Sequence, residues 1–170
     1  MAGIDDFRTS IDDFVTNDYG KVVATVALAS GNRDLAEDGV QNALVKALAT
    51  NKQPTSLAAW VTVVATNEVR QMNRRKAIEH RVVASGPMTE AETPADRAGS
   101  IDLENAIESL PNRQREIALL FYYLDTSVTD IAKAMNITEG TVKTQLHRAR
   151  EALAEQLGTT TPDDAQGGDR

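Results

Sequence analysis

A short stretch in the last third of the chain carries side chains suited to binding nucleic acid. Residues 136–151 read NITEGTVKTQLHRARE, and helical spacing places threonine, lysine, histidine and arginine side chains along one side. Hydroxyl and cationic groups donate hydrogen bonds to base edges and to phosphate oxygens. Glu151 lies one turn further along and would repel phosphate, so we expect contact with DNA to fade beyond Arg148.

The residues around this stretch predict a helix-turn-helix. A first helix covers 127–135, with Ser127 and Asp130 as its capping pair, and Asn136 tolerates the left-handed conformation that the following turn needs. A second helix starts at Thr138. A three-helix bundle with a merely solvated polar face is the alternative. At about 100° per residue, one apolar arc of the second helix must face the core: Val142, Leu146, Ala149 and Leu153.

The composition favours an all-α protein whose cores are built from small aliphatic residues. Aromatic residues make up 4% of the chain, five prolines occur in 170 residues, and the net charge is −7. An acidic chain would ordinarily avoid DNA, but screening limits a charge to about 8 Å at physiological salt. A local basic strip can therefore still bind phosphate. Residues 70–81 form such a strip around a single acid, Glu79: Arg70, Arg74, Arg75, Lys76 and Arg81.

Helical periodicity also organises the N-terminal half. Apolar spacing predicts helix over 4–29, a helix started by an Asp34–Glu37 pair resembling a capping box, and a helix capped by Ser56. Gly39, inside the second of these, costs about 1 kcal/mol against alanine. Glu68 falls within the apolar arc of the third. The second predicted helix has a core-facing set of apolar residues: Val40, Ala43, Leu44, Ala47 and Leu48.

Four segments follow from these patterns. We predict a helical unit over 1–81, a linker over 82–101 that is rich in glycine, proline, serine and acids, a second unit over 102–157, and a disordered acidic tail over 158–170. No apolar run reaches the roughly 18 residues of a membrane span, and no signal pattern opens the chain. We therefore expect a cytoplasmic protein without membrane insertion.

No residue set has catalytic or metal-binding spacing. The chain has no cysteine, which excludes disulfides and thiolate metal sites. His80 and His147 lack metal-ligand spacing to each other or to carboxylates, and the adjacent acid pairs near the start of the chain face apart on a helix. We expect no enzyme activity, no metal and no cofactor.

Three stretches together resemble a known family. LPNRQREIALLFYYLDTSVTDIAKAMNITEGTVKTQLHRAREAL is similar to region 4 of sigma-70 transcription factors, DLAEDGVQNALVKAL to region 2.2, and SLAAWVTVVATNEVRQMNRRK to regions 2.3–2.4. Only regions 2 and 4 are present, as in the extracytoplasmic-function (ECF, group IV) subgroup. The resemblance implies an all-α fold of two small domains, a region 2 bundle and a region 4 helix-turn-helix, joined by a flexible linker.

The resemblance also implies roles for named residues in promoter recognition by RNA polymerase. Region 2.2 docks on the β′ clamp helices of core polymerase in relatives, and the matching positions are Glu37, Asp38, Gln41, Asn42 and Val45. The resemblance assigns contact with the −10 promoter element to the loop 50–56 and to Asn67, Arg70, Arg74, Arg75 and Lys76. It assigns contact with the −35 element to Lys143, Thr144, His147 and Arg148, and contact with the phosphates to Thr138, Thr141 and Arg150.

Further partners and two rival functions remain open. Relatives bind the β-flap with the helix that here carries Leu119, Leu120 and Tyr123, and they are usually held by an anti-sigma factor, so we expect such a partner. Val63 and Thr66 replace arginines common in the family. One alternative, which would account for the loss of these arginines, is a sigma-like factor that acts mainly through protein contacts. An ordinary helix-turn-helix regulator, working without polymerase, is the other alternative.

Overall fold

The computed structural model describes residues 2–50, 53–83 and 100–158. Within these ranges the regular structure is helical and no strand occurs, so the predicted all-α class is confirmed. The predicted linker and tail fall mainly on residues 84–99 and 159–170, outside the described ranges. The elements are α1 (Ala2–Asn17), α2 (Tyr19–Ser30), α3 (Arg33–Thr50), α4 (Leu57–Val83), α5 (Ser100–Ser109), α6 (Asn112–Ala118) with a π-helical turn (Leu119–Tyr123), α7 (Val128–Met135) and α8 (Glu139–Leu157).

Helices α1 to α4 form a first bundle with a core of small aliphatic residues. Val26, Val40 and Val61 are completely buried there. Gly39 explains how α3 and α4 approach so closely: a Cβ at this position would lie 2.6 Å from Val69 Cγ2 and 3.0 Å from the Ala65 carbonyl oxygen. The helix-propensity cost of Gly39 is therefore offset by close packing.

The start of α3 corrects one prediction. The Asp34–Glu37 pair does not cap the helix, because α3 already begins at Arg33. Asn32 caps it instead: its Oδ1 accepts from the Leu35 N–H at 3.1 Å. The left-handed Gly31 ends α2 one residue earlier (φ 70°), which leaves Asn32 as the residue preceding the helix.

Glu68 and Leu48 also differ from the periodicity argument. Glu68, on the apolar arc of α4, forms an ion pair with Lys46 on α3 across the edge of the bundle. Leu48, expected in the core, is 56% exposed. The inward face of α3 includes Leu35, Val40 and Ala47, and Leu48 lies outside that face.

Helices α5 to α8 form a second bundle around Ile117, Leu120 and Val142, all completely buried. The two bundles pack against each other, which periodicity did not predict. Ala59 and Val63 on α4 belong to the apolar cluster of the second bundle and are 0% and 8% exposed.

Candidate nucleic-acid interface

The helix-turn-helix has the predicted local geometry. Ser127 precedes α7 and accepts a hydrogen bond from the Asp130 N–H at 3.1 Å. Asn136 has φ 54°, the left-handed conformation expected at the turn. Thr138 precedes α8 and accepts from the Thr141 N–H at 3.1 Å. These caps fix the direction in which α8 leaves the turn.

The exposed face of α8 carries the residues predicted to contact DNA. Lys143, Thr144, His147 and Arg148 are exposed, while Val142, Leu146 and Ala149 are buried on the opposite side and Leu153 is half-buried. The sequence-based division of this helix is confirmed.

Several of these polar groups already have intramolecular partners. His147 Nε2 lies 3.2 Å from Glu151 Oε1, one turn along α8, and the Thr144 hydroxyl donates to the Gly140 carbonyl at 2.9 Å. The hydroxyls of Thr138 and Thr141 lie 2.9 Å apart. Within the described residues, Lys143, Arg148 and Arg150 form no ion pair, so these three cations face solvent with their charge available.

The residues predicted to contact the −10 element do not form one free surface. Ser56 caps α4, accepting from the Ala59 N–H at 3.2 Å. Arg74, Arg75 and Lys76 are exposed on the last third of α4. Asn67 is exposed too, but it lines a cleft whose opposite wall is α6 and α7.

Arg70 is engaged between the two bundles. Its Nη1 lies 3.0 Å from Glu116 Oε2, and its Nη2 donates to the Ala29 carbonyl at 3.2 Å and the Asn112 carbonyl at 3.5 Å. The side chains of Arg70 and Glu116 are only 18% and 4% exposed. Arg70 thus points into the contact between the bundles, whereas Asn67 and Arg74, which are also predicted to contact the −10 element, are exposed.

Glu116 is the residue of this region that sequence reasoning missed. Its signal was a carboxylate directly before the apolar run IALLF, where a solvated side chain has no place. Burial raises the pKa of its carboxyl, and the Arg70 and Arg113 guanidinium groups offset part of that rise. Oε1 has no hydrogen-bond partner among the described residues. Since desolvation is the largest cause of this shift, the buried pair adds little to the free energy of folding.

The loop before α4 also faces the second bundle. Pro54, Thr55 and Ser56 line a cavity together with Trp60 and with Asp130 and Lys133 of α7. Residues 51–52 of the predicted −10 loop lie outside the described ranges. Trp60 is half-buried and packs against the first bundle beside this cavity.

The outer face of α3 presents the residues predicted to contact polymerase. Glu37, Asp38, Gln41, Asn42 and Val45 are all exposed, and the Glu37 carboxylate accepts a hydrogen bond from the Tyr19 hydroxyl at 3.4 Å. Val45 is 64% exposed, next to the exposed Leu48. Neighbouring apolar side chains on an otherwise polar face are typical of a protein contact.

The predicted flap contact finds less support in the geometry. Leu119 and Leu120 are buried at 4% and 0% exposure, whereas Tyr123 is half-exposed.

Across the described ranges, no cluster of three or more potential metal ligands occurs. In the same part of the chain, no helix has the length and hydropathy needed to cross a bilayer.

Comparisons with known proteins identify relatives. Residues 100–153 match the family described as Sigma-70, region 4. The ECF RNA polymerase sigma factor SigW of Bacillus subtilis is 32% identical over 145 residues, which cover 75% of this chain and 78% of SigW. The ECF RNA polymerase sigma factor EcfG of Rhodopseudomonas palustris is 32% identical over 137 residues, covering 75% and 74%.

A solved structure has a similar fold. It is the sigma factor RpoE of Bartonella quintana, crystallised with the anti-sigma factor NepR. The TM-score is 0.66 at 26% sequence identity, and the alignment covers 90% of this chain and 97% of that one.

Proposed function

The chain belongs to the ECF family of RNA polymerase sigma factors, and from that premise we propose that it binds core polymerase through α3 and promoter DNA through α4 and α8. It directs transcription initiation. We further assign it to group IV, with region 2 over 1–81 and region 4 over 102–157, and we place it in the cytoplasm without catalytic activity of its own. The observation that supports the proposal most directly is the presence, in one chain, of an exposed helix-turn-helix and of a separate exposed face on α3 whose residues resemble region 2.2.

The polymerase contact falls on α3. Asp38, Gln41 and Val45 lie on one stripe of that helix, opposite the buried Val40. Acids and amides beside the exposed Val45 and Leu48 provide a polar rim around a small apolar centre. The β′ clamp helices are the partner that the family implies for this face.

The −35 contact falls on α8. The first turns of α8 carry a glycine and short hydroxyl side chains, which let the backbone approach the major groove. Lys143 and Arg148 supply the free charge, and His147 can leave Glu151 at little cost because that pair is exposed. Arg150, Thr138 and Thr141 serve the phosphates.

The −10 contact falls on α4 and the loop before it. Asn67 can pair with a base edge through a donor and an acceptor together. Arg74, Arg75 and Lys76 suit the adjacent backbone, where each phosphate contact adds salt-dependent affinity. Arg70 joins them only after leaving Glu116.

Two readers on one chain explain how such small domains choose a promoter. A single mismatched base pair costs roughly 1–3 kcal/mol, and one recognition helix contacts few pairs. A linked second reader raises the effective concentration of the first at its own element. We also expect an anti-sigma factor as regulator, since the similar solved structure contains one.

Run-off transcription with purified, sigma-free core polymerase tests the proposal. The full chain should start RNA chains at discrete genomic sites, and Asp38→Arg combined with Gln41→Ala should abolish both transcripts and co-purification with core polymerase. Glu155→Arg, an exposed charge reversal near the end of α8 and outside the proposed contact surfaces, serves as control. Specific binding to palindromic DNA with no transcripts would instead support a conventional helix-turn-helix regulator.

A further inference from the structure

The −10 contact surface of region 2 is covered by region 4 of the same chain. Ala59, Val63, Asn67 and Arg70 recur at helical spacing along one side of α4. The first two are buried against Ile131 and its neighbours in the second bundle. The last two line the cleft below α6 and α7. One helix side thus carries both the candidate DNA contacts and the contact between the bundles.

Three contacts close this surface at different points. At the loop end, Pro54 and Trp60 face α7 across the cavity described above. In the middle, Val63 packs into the second bundle. At the far end, Glu116 binds the Arg70 guanidinium that the phosphate backbone would otherwise bind. A carboxylate and a phosphate compete for the same guanidinium donors, because each presents two oxygens that accept from the planar fork of arginine.

We propose that the free chain is self-closed: region 4 covers the −10 contact surface of α4, and must separate from it before single-stranded promoter DNA can reach Asn67 and Arg70. The proposal rests on the function proposed above and adds a regulatory step to it. The closed chain keeps its other surfaces free. Lys143 and Arg148 on α8 and Asp38 on α3 remain exposed, so −35 DNA and core polymerase can bind before opening.

The sequence provides an intrinsic probe of this step. Trp60 is the single tryptophan of the chain and lies at the closed contact with α7. Opening exposes the indole to water, so acrylamide should quench its fluorescence more strongly. The absence of native cysteine also allows labels at two introduced ones, Asn17→Cys on α1 and Glu155→Cys on α8, both at exposed positions.

Two substitutions should open the chain by different routes. Glu116→Arg places a like charge against Arg70 and should raise the ratio of open to closed conformers by about tenfold or more. Ala59→Glu inserts a larger charged side chain into the apolar contact without touching the ion pair. Asp102→Arg is the matched control, because it makes the same change of charge at an exposed position of α5 that lines a cleft with α8 and not with the first bundle.

Wild type and Asp102→Arg should give one narrow distance distribution and weak quenching. Glu116→Arg and Ala59→Glu should give longer distances, stronger quenching of Trp60 and tighter binding of a labelled pool of random-sequence single-stranded 20-mers. Comparison of Glu116→Arg with Asp102→Arg removes the effect of added positive charge on DNA affinity. Circular dichroism checks that the helices persist.

A broad, long distance distribution in wild type would overturn the proposal, and this outcome requires no variant to fold. So would unchanged distances and quenching in both opening variants with helix content intact. If wild type is closed and both variants open it, but wild type supports no run-off transcription, the proposed function fails while self-closure stands. If transcription occurs but wild type is already open, self-closure alone fails.

Discussion

Gly39 offers the sharpest test of the packing between α3 and α4. Alanine at an ordinary helix position gains about 1 kcal/mol over glycine. At Gly39, however, the added Cβ would meet Val69 Cγ2 at 2.6 Å and the Ala65 carbonyl oxygen at 3.0 Å. Val69 is completely buried and β-branched, so it cannot rotate away freely. Overpacking of this kind costs about 1–3 kcal/mol, and we expect Gly39→Ala to be net destabilising by about 1 kcal/mol.

Gly20→Ala on α2 is the matched control, because nothing lies within 4 Å of its added Cβ. It should stabilise the protein by a few tenths of a kcal/mol to about 1 kcal/mol. Urea unfolding of the full chain, followed by circular dichroism, measures both changes on one scale. Gly39→Ala should cost less in a Val69→Ala background than in the wild-type chain, since that background lacks the closest contact. If Gly39→Ala stabilises as much as Gly20→Ala, the close-packing argument is refuted.

Three further outcomes concern substitutions of region 4 residues. Arg115 donates to the Ile107 and Leu110 carbonyls, both at 3.1 Å. Arg115→Ala should therefore cost about 1–3 kcal/mol in urea unfolding, whereas Arg148→Ala, at an exposed arginine with no ion pair among the described residues, should be near neutral. Because burial raises the pKa of Glu116 in the folded state, its contribution to stability is full below the unfolded-state pKa of about 4.3 and falls as pH rises through the higher folded-state pKa. Glu116→Gln should remove that fall, so the stability of the variant relative to wild type should increase between pH 4 and 7. A difference in stability that stays constant over this range would contradict the burial argument. Lys143→Ala should weaken binding to −35 promoter duplex and reduce the slope of log affinity against log salt by about 1, whereas an unchanged slope would show that this lysine contacts no phosphate.

Local patterns were sufficient for most of the helical framework and for the helix-turn-helix. The caps at Ser56, Ser127 and Thr138 and the left-handed Asn136 were predictable because each depends on neighbours within about four residues. The same locality explains the wrong prediction at Asp34: several polar residues near a helix start compete, and the end of the preceding helix at Gly31 decided between them.

The sequence by itself determined which side of each helix is apolar, and hence the exposed residues of α8 and most of those on α3. Only the tertiary structure decided which bundle each apolar side joins. Val63 and Ala59 could have been covered by the first bundle, by another protein or by region 4, and helical period is the same in all three cases. Glu116 and Arg70 meet 46 residues apart in the chain, and Lys46 meets Glu68 across two helices. Such pairings depend on the relative placement of whole helices, which is decided by the summed packing of many side chains and leaves no periodic trace in the sequence.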